Sequence, residues 1–220
     1  DMLNGDGLRV VLWLSGCDHH CYNCQNPITW DVNGGLLFDE KAKEELFREL
    51  DKDYISGLTL TGGDPLHPSN LDGVLDIVTE FNKRYRTTRD IVSNKDNDHN
   101  ILNENANKTR LLSPNKTIWL YSGYTLQTCK YFDKTIFTFN PHYYHPNPLN
   151  GEQVKVDDKS FLIKQDKKRM EIVKNVDVLV DGRYIDSQRN IAKKWAGSSN
   201  QRVIDTQETL KQNKIVLYCD

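Results

Sequence analysis

Three cysteines near the start of the chain, Cys17, Cys21 and Cys24, form a C-x3-C-x2-C pattern that is the clearest sign of chemistry in the sequence. Three thiolates on one loop can hold three irons of a [4Fe–4S] cluster, and the fourth iron then has no protein ligand. Such an iron is a reactive position, because a substrate or cosubstrate can coordinate there. The pattern therefore predicts a reactive cluster rather than a structural one.

A structural zinc site is the alternative for the same loop, with His19 or His20 as the fourth ligand. Zinc prefers four closed nitrogen and sulfur ligands, and Cys3His sites are common. Zinc modules, however, usually supply their ligands as two separated pairs, whereas here all of them lie in one loop. Histidines between Cys17 and Cys21 are also poorly placed to close a tetrahedron. The spacing therefore favours the cluster, and a non-catalytic zinc-binding module is the second interpretation.

A second motif, Thr61–Leu66, reads Thr-Gly-Gly-Asp-Pro-Leu and follows a predicted strand. Adjacent glycines let a ligand approach the backbone closely, and Asp64 can help to hold a cationic amino group. By itself the pair Gly62 and Gly63 indicates only a tight turn. Beside the cysteine loop it could bind the methionine end of S-adenosylmethionine (SAM), whose amino and carboxylate groups chelate the open iron. This use predicts that alanine at Gly63 keeps the cluster and weakens SAM binding.

The elements that must position both motifs alternate between strand and helix. Strands are predicted at Leu8–Leu14, Leu58–Leu60, Ile118–Tyr121 and Val176–Val180, and helices at about 40–52, from Ser69 or Asn70 to Arg84, and at about 167–174. Apolar residues at helical spacing and an N-cap at Asp39 support the first helix. Alternating strands and helices imply an α/β fold with a parallel sheet and right-handed crossovers. Ligands of such folds bind at the carboxyl ends of the strands.

Two segments interrupt this alternation. Residues 86–116 are rich in Asn, Asp, Lys and Thr, and residues 130–166 contain Pro141, Pro146 and Pro148. Loops of this length inside a compact domain are usually insertions, either functional or disordered. We expect one domain over residues 1–220 with two long insertions, and we expect both insertions to be solvated loops rather than binding elements.

The composition excludes several classes of function. The net charge is −2 and the chain has no long basic stripe, so direct binding of nucleic acid is not expected. No stretch of about 18 apolar residues predicts a membrane span. Three of the five cysteines crowd one loop, which argues against a secreted disulfide scaffold and for the reducing cytoplasm. Cys129 and Cys219 lie outside that loop and are not expected to bind the cluster.

The chain resembles the activating proteins of anaerobic, class III ribonucleoside-triphosphate reductase, which are radical SAM enzymes. The resemblance runs through Asn4 and Gly5 with Arg9, the cysteine loop, Thr29–Trp30, Leu60–Leu66, Ile118–Tyr124, Val178–Tyr184 and Trp195–Arg202. Many radical SAM enzymes share the cysteine spacing, whereas the run Gly197–Gln201 (Gly-Ser-Ser-Asn-Gln) is specific to this family. The two insertions depart from the family, as do Asp6 in place of its usual proline and Ala196 in place of a common arginine.

This resemblance implies a fold and a role for individual residues. The fold would be a partial (β/α) barrel of the radical SAM type, open on one side where a protein loop can reach SAM. The [4Fe–4S] cluster would be ligated by Cys17, Cys21 and Cys24, SAM would be lined by Asn23, Cys24 and Gln25, and its methionine end would be held by Gly62, Gly63 and Asp64.

The resemblance also implies a reaction and its partners. An electron from a flavodoxin or ferredoxin-type donor would cleave SAM to methionine and a 5′-deoxyadenosyl radical. That radical would take a hydrogen atom from a glycine α-carbon in the large subunit of the anaerobic reductase and leave a stored glycyl radical. Activation of another glycyl-radical enzyme, such as pyruvate formate-lyase, is the alternative within the same chemistry. The run Gly197–Arg202 favours the reductase.

Overall fold

The computed structural model describes residues 1–86, 116–131, 134–139, 145–146, 153–154 and 159–219. In chain order the strands are β1 (Arg9–Leu14), β2 (Gly57–Gly62), β3 (Thr117–Tyr121), β4 (Leu126–Tyr131), β5 (Lys134–Phe139), β6 (His145–Pro146), β7 (Gln153–Val154), β8 (Val178–Asp181), β9 (Arg202–Asp205) and β10 (Leu217–Cys219). The helices are α1 (Glu40–Leu50), α2 (Leu71–Tyr85), α3 (Lys159–Lys174) and α4 (Thr206–Gln212). Short 3-10 turns lie at Pro27–Thr29 and Asp186–Gln188.

A six-stranded sheet with the order β1-β2-β3-β8-β9-β10 forms the centre of the molecule. The four strands β1, β2, β3 and β8 are parallel, which confirms the predicted α/β fold. The two last strands, β9 and β10, were not predicted, and each runs antiparallel to its neighbour. Over the described residues the sheet is open between β1 and β10, so a partial barrel of the radical SAM type stays a prediction.

The two faces of the sheet differ, because side chains alternate along each strand. One face is apolar and packs against helices α1, α2 and α3, with the buried residues Leu58, Leu60, Ile118, Leu120 and Leu179 at its centre. The opposite face carries a smaller apolar cluster of Trp119, Val178, Val180 and Val203, against which Trp195 packs. Within the described part of the chain no helix is long and apolar enough to cross a membrane.

Local signals place the first two helices. Asp39 caps α1 as predicted, because its carboxylate accepts a hydrogen bond from the Ala42 N–H. The N-cap of α2 is Asn70, but its side chain does not cap the helix. The Asn70 amide instead donates to the Ser15 and Asp64 carbonyl oxygens, at 2.9 Å each. This amide therefore joins the start of α2 to the loop that leaves β1.

The expectation of a solvated loop at 130–166 is wrong where the structure describes this segment, while an insertion relative to the family stays a prediction. Strands β4 and β5 pair as an antiparallel hairpin, and α3 begins at Lys159 rather than at about 167. The hairpin belongs to the core because Leu126 and Phe139 are both buried in the main apolar cluster. The prolines and asparagines of the segment are typical of loops, and for this reason the sequence predicted no strands there. The other predicted insertion, at 86–116, lies almost wholly outside the described residues.

Arg9 joins the first three strands at their amino ends. Its guanidinium, 2% exposed, donates to the Thr59 hydroxyl at 2.7 Å and to the Leu58 and Thr117 carbonyl oxygens at 2.7 Å each. Burial lowers the pKa of Arg9 to about 10, so the side chain stays charged at neutral pH. Lysine has no planar fork of donors and cannot reproduce these bonds.

We therefore expect Arg9→Lys to lower the free energy of unfolding by about 2–4 kcal/mol, because buried acceptors lose their donors. Urea denaturation followed by far-UV circular dichroism measures this change. The control is Arg48→Lys on α1, where the side chain is 70% exposed and the expected change is within about 0.5 kcal/mol. Equal unfolding free energies for the two variants would contradict the role of Arg9.

Candidate functional site

The two sequence motifs lie side by side at the carboxyl edge of the parallel strands. Leu14, the last residue of β1, is the register partner of Gly62, the last residue of β2. The cysteine loop follows the first of these residues and the glycine turn follows the second. The residues after β3 join the same edge, because the Ser122 N–H donates to the Val180 carbonyl of β8 at 2.9 Å. Four strand ends therefore surround one site.

The three cysteines of the loop are partly exposed and form no disulfide. Two loop residues, His20 and Asn23, have positive φ angles of 45° and 56°, which place both in the left-handed region. The Cys24 sulfur accepts a hydrogen bond from the Asn26 N–H at 3.4 Å. Burial, together with the nearby Asp64 carboxylate, raises the pKa of the Cys17 thiol to about 12. Ligation at Cys17 therefore needs a cation to replace the proton.

The donor set fits an iron–sulfur cluster by its chemistry. Soft thiolates select zinc and iron–sulfur clusters, and three of them on one loop match a cluster with one open iron. A closed zinc site would need His19 or His20, but Nε2 of His19 lies 2.6 Å from Asp64 Oδ2 and the His20 ring packs on Trp30. Among the described residues no three His, Cys, Asp or Glu side chains converge to hold a single metal ion. The fit therefore rests on donor type and on the shared loop.

The glycine turn is held by the backbone of the cysteine loop. The Gly63 N–H donates to the Leu14 carbonyl and the Asp64 N–H to the Gly16 carbonyl, at 2.7 Å each. A β-carbon on Gly63 would lie 2.5 Å from the Gly16 oxygen and 2.8 Å from the Thr29 oxygen. Gly62 has a φ of 107°, a left-handed conformation that favours glycine. The space beside Gly63 is thus filled by protein backbone. The motif by itself had predicted that a ligand approaches the turn at this position.

Asp64 is buried, with 1% exposure, and holds several loops together. Its carboxylate accepts hydrogen bonds from the Leu66 N–H at 2.8 Å, the Gly123 N–H at 2.9 Å and the Ser122 hydroxyl at 2.9 Å. Burial alone would raise the pKa of Asp64, but the bonds from His19 and from these backbone groups outweigh it and lower the pKa. The carboxylate is therefore charged and engaged by protein groups, and a direct contact with SAM stays a prediction.

The remaining predicted SAM contacts are accessible. Asn23 and Gln25 are exposed on either side of Cys24, so a ligand on the cysteine loop can reach them. Their roles stay predictions, because exposure alone does not show binding.

The residues that follow β3 contribute to the site, although the sequence gave them no role. A β-carbon on Gly123 would lie 2.3 Å from the His19 ring, so the glycine is needed for close packing. The Tyr124 ring meets the His19 ring edge-on at 4.7 Å, and the Arg169 guanidinium lies 4.1 Å from the Tyr124 ring centre. The sequence signal for these contacts is Gly123 between the polar residues Ser122 and Tyr124 at the end of β3.

The run Gly197–Gln201 bonds to the backbone that follows β8 and thereby supports the site; we call this run the brace. The Gln201 side-chain oxygen accepts from the Gly197 and Ser198 N–H groups, and its amide donates to the Gly182 carbonyl at 2.9 Å. Asn200 donates to the Arg183 carbonyl at 2.8 Å. Arg183 in turn donates to the His19 carbonyl of the cysteine loop. The run therefore supports the end of β8 and, through Arg183, the loop that carries the cysteines.

Comparison with known proteins first gives a class. A family model described as a 4Fe–4S single cluster domain matches residues 3–105 and 154–204. The match includes the cysteine loop, the glycine turn and the Gly197–Gln201 brace. The chain therefore belongs to this family of 4Fe–4S single cluster domains.

Curated relatives then narrow the class. The chain is similar to the anaerobic ribonucleoside-triphosphate reductase-activating protein of Enterobacteria phage T4, at 31% identity over 92% of this chain and 87% of that protein. Proteins of the same name from Escherichia coli K12 and Haemophilus influenzae are each 28% identical, over 92% and 91% of this chain and 92% and 90% of their own lengths. No solved structure matches the chain. The resemblance to activating proteins of anaerobic ribonucleoside-triphosphate reductase is confirmed, and membership of the radical SAM enzymes stays a prediction.

Proposed function

We propose that this chain is a radical SAM activase that reductively cleaves SAM at a [4Fe–4S] cluster and generates a glycyl radical on the large subunit of the anaerobic ribonucleotide reductase. The observation that carries the proposal is the placement of three free cysteines on one loop beside a glycine turn, at the carboxyl edge of a parallel sheet. The names of the relatives support the reductase as the partner. A flavodoxin or ferredoxin-type protein would supply the electron.

The cofactor would supply the redox chemistry and the chain would position it. A bound cluster with one open iron would pass the donor's electron to SAM, which would give methionine and a 5′-deoxyadenosyl radical able to take a hydrogen atom from a glycine α-carbon. Cys17, Cys21 and Cys24 would hold the cluster. Gly62 and Gly63 would place their turn against it. The buried Asp64 would keep that turn and the cysteine loop in contact.

The face of the sheet opposite helices α1, α2 and α3 would offer a surface for the adenosyl group. Trp13 lies near the end of β1 as the register partner of Thr61, and its side chain is 49% exposed. A planar base can stack on an exposed indole ring, and such contacts stabilise aromatic pairs by about 0.5–1.5 kcal/mol. Trp13 is one residue from the end of β1, close to the cysteine loop. We therefore propose Trp13 as a candidate contact of the adenine base.

The partner would present its glycine at the carboxyl ends of the parallel strands, where the cysteine loop lies. A radical on a glycine α-carbon is stabilised by both flanking amide groups, so it can be stored after the activase leaves. The sheet is open over the described residues, with β1 as one of its edges. A loop of the reductase could approach along that edge, beside the cysteine loop.

Electron paramagnetic resonance spectroscopy tests the proposal. We expect the reduced protein, mixed with SAM and its reductase without oxygen, to give a glycyl doublet on the reductase. Cys21→Ala should abolish the doublet, because the cluster loses a ligand, whereas Cys219→Ala should retain it.

Two results would overturn the proposed function. A doublet on pyruvate formate-lyase but not on the reductase would assign the chain to the other class of activase. An iron–sulfur cluster absorbs visible light, and dithionite bleaches this absorption. A colourless, zinc-loaded protein that lacks such absorption would support the zinc module.

A further inference from the structure

The cysteine loop is attached to the glycine turn by a buried pair of side chains. His19 lies between Cys17 and Cys21, is 4% exposed, and approaches Asp64 with 2.6 Å between Nε2 and Oδ2. Asp64 also accepts from the Ser122 hydroxyl and the Gly123 N–H after β3. One carboxylate therefore links the ends of three neighbouring strands. Removing one partner of a buried, hydrogen-bonded pair is strongly unfavourable, so the contact fixes the loop firmly.

A second pair joins the same two segments in the opposite sense. Asp18, the neighbour of His19, lies with its Oδ2 atom 2.9 Å from His67 Nε2, and His67 Nδ1 lies 2.7 Å from the Ser69 hydroxyl. His19 of the cysteine loop thus contacts the carboxylate of the turn, and Asp18 of the same loop contacts His67, the residue that follows the turn. Two attachments at adjacent residues fix the orientation of the loop beside Cys17 as well as its distance.

The surroundings of His19 leave its ring little freedom. Gly123 packs directly against the ring, and Tyr124 meets it edge-on at 4.7 Å. The Arg183 guanidinium donates a hydrogen bond to the backbone carbonyl oxygen of His19. The position of His19 is therefore set by elements from β3 and β8 as well as by Asp64.

We propose that His19 and Asp64 form a positioning pair that sets the cysteine loop against the glycine turn and thereby determines how tightly SAM binds beside the cluster. The proposal rests on the proposed function, because it concerns the same cluster and the same ligand. It assigns Asp64 an indirect role: the carboxylate acts through the loop rather than by touching SAM. Displacement of a ligand-holding group by about 1 Å is enough to change rates or affinities by large factors.

Two substitutions of His19 separate this role from simple packing. The Gln side chain can place its amide nitrogen near the position of His Nε2 and keep the bond to Asp64, whereas the shorter Asn cannot. We expect His19→Asn to weaken SAM binding about tenfold or more and His19→Gln to stay close to the unmodified protein. SAM affinity is measured by equilibrium dialysis on cluster-loaded protein. The change that SAM causes in the electron paramagnetic resonance spectrum of the reduced cluster is the second measurement.

The neighbouring histidine provides a matched control. His20→Asn changes the same residue type on the same loop, and Asn tolerates the φ of 45° at that position. We expect this variant to keep SAM affinity and the spectral change. If His19→Asn does not fold, Asp64→Asn replaces it, because that variant keeps the shape of the side chain and should also weaken SAM binding.

The outcomes distinguish the positioning pair from the proposed function. Weaker SAM binding in His19→Asn that His19→Gln restores, at equal iron content, supports the pair. Unchanged SAM affinity in both His19→Asn and Asp64→Asn overturns the pair and leaves the proposed function intact. Absence of SAM binding by the unmodified, cluster-loaded protein overturns both.

Discussion

Alanine in place of Cys17, Cys21 or Cys24 is expected to lower the iron bound per chain to less than about a tenth of the unmodified value, because even outer-sphere changes at metal sites cost 10–100-fold in affinity. Each cysteine would be the sole protein ligand of one iron, so the remaining two thiolates cannot hold a complete cluster. Iron and sulfide are measured after anaerobic reconstitution, together with the visible absorption before and after dithionite. All three variants should be nearly colourless.

The other cysteines serve as controls for this prediction. Cys219 lies on β10, where it packs against the smaller apolar cluster, and Cys129 lies on β4. Neither belongs to the loop, so Cys219→Ala and Cys129→Ala should retain iron and colour. Iron loss in either control equal to that of Cys17→Ala would contradict the assignment of the cluster to the loop.

Alanine at Gly63 is expected to displace the cysteine loop and to lower both the free energy of unfolding and the iron content. Its β-carbon would lie 2.5 Å from the Gly16 oxygen, next to Cys17, and a backbone atom cannot rotate away as a side chain could. Forced overpacking of this kind costs about 1–3 kcal/mol. Chemical denaturation and iron analysis measure the two effects. From the sequence alone, the same variant was expected to keep the cluster, and the contact with Gly16 reverses that expectation.

A second glycine gives the matched control. Gly73 lies in α2, and nothing lies within 4 Å of the β-carbon that alanine would add. Alanine in a helix is favoured over glycine by about 0.5–1 kcal/mol, so Gly73→Ala should raise the unfolding free energy and leave iron unchanged. A Gly63→Ala protein with unmodified stability and iron content would show that the turn yields more easily than its geometry indicates.

The brace at Gly197–Gln201 is distant in sequence from the loop that carries the cysteines and is connected to it in the fold. Its amide groups satisfy backbone groups of Gly182 and Arg183, and Arg183 reaches the cysteine loop. The run thus supports the end of β8 and, through Arg183, the loop that carries the cysteines. Ala196 packs against the smaller apolar cluster beside this brace.

Local patterns in the sequence determined the cysteine loop, the glycine turn, the four parallel strands and the N-cap of α1. Each of these depends on residues within a few positions of one another, where spacing, alternation and capping carry the information. The donor set of the site is of this kind, because Cys17, Cys21 and Cys24 share one loop.

Only the tertiary structure decided which residues hold that loop in place. Asp64 meets His19 and Ser122, and Gln201 meets Gly182, across long separations in sequence. Strands β9 and β10 and the β4–β5 hairpin were likewise absent from the prediction. Buried polar groups must find partners wherever the strand order brings them together, and no local pattern records that choice. The types of ligand in the site are therefore determined by residues close in sequence, while their positions are set by contacts between strand ends.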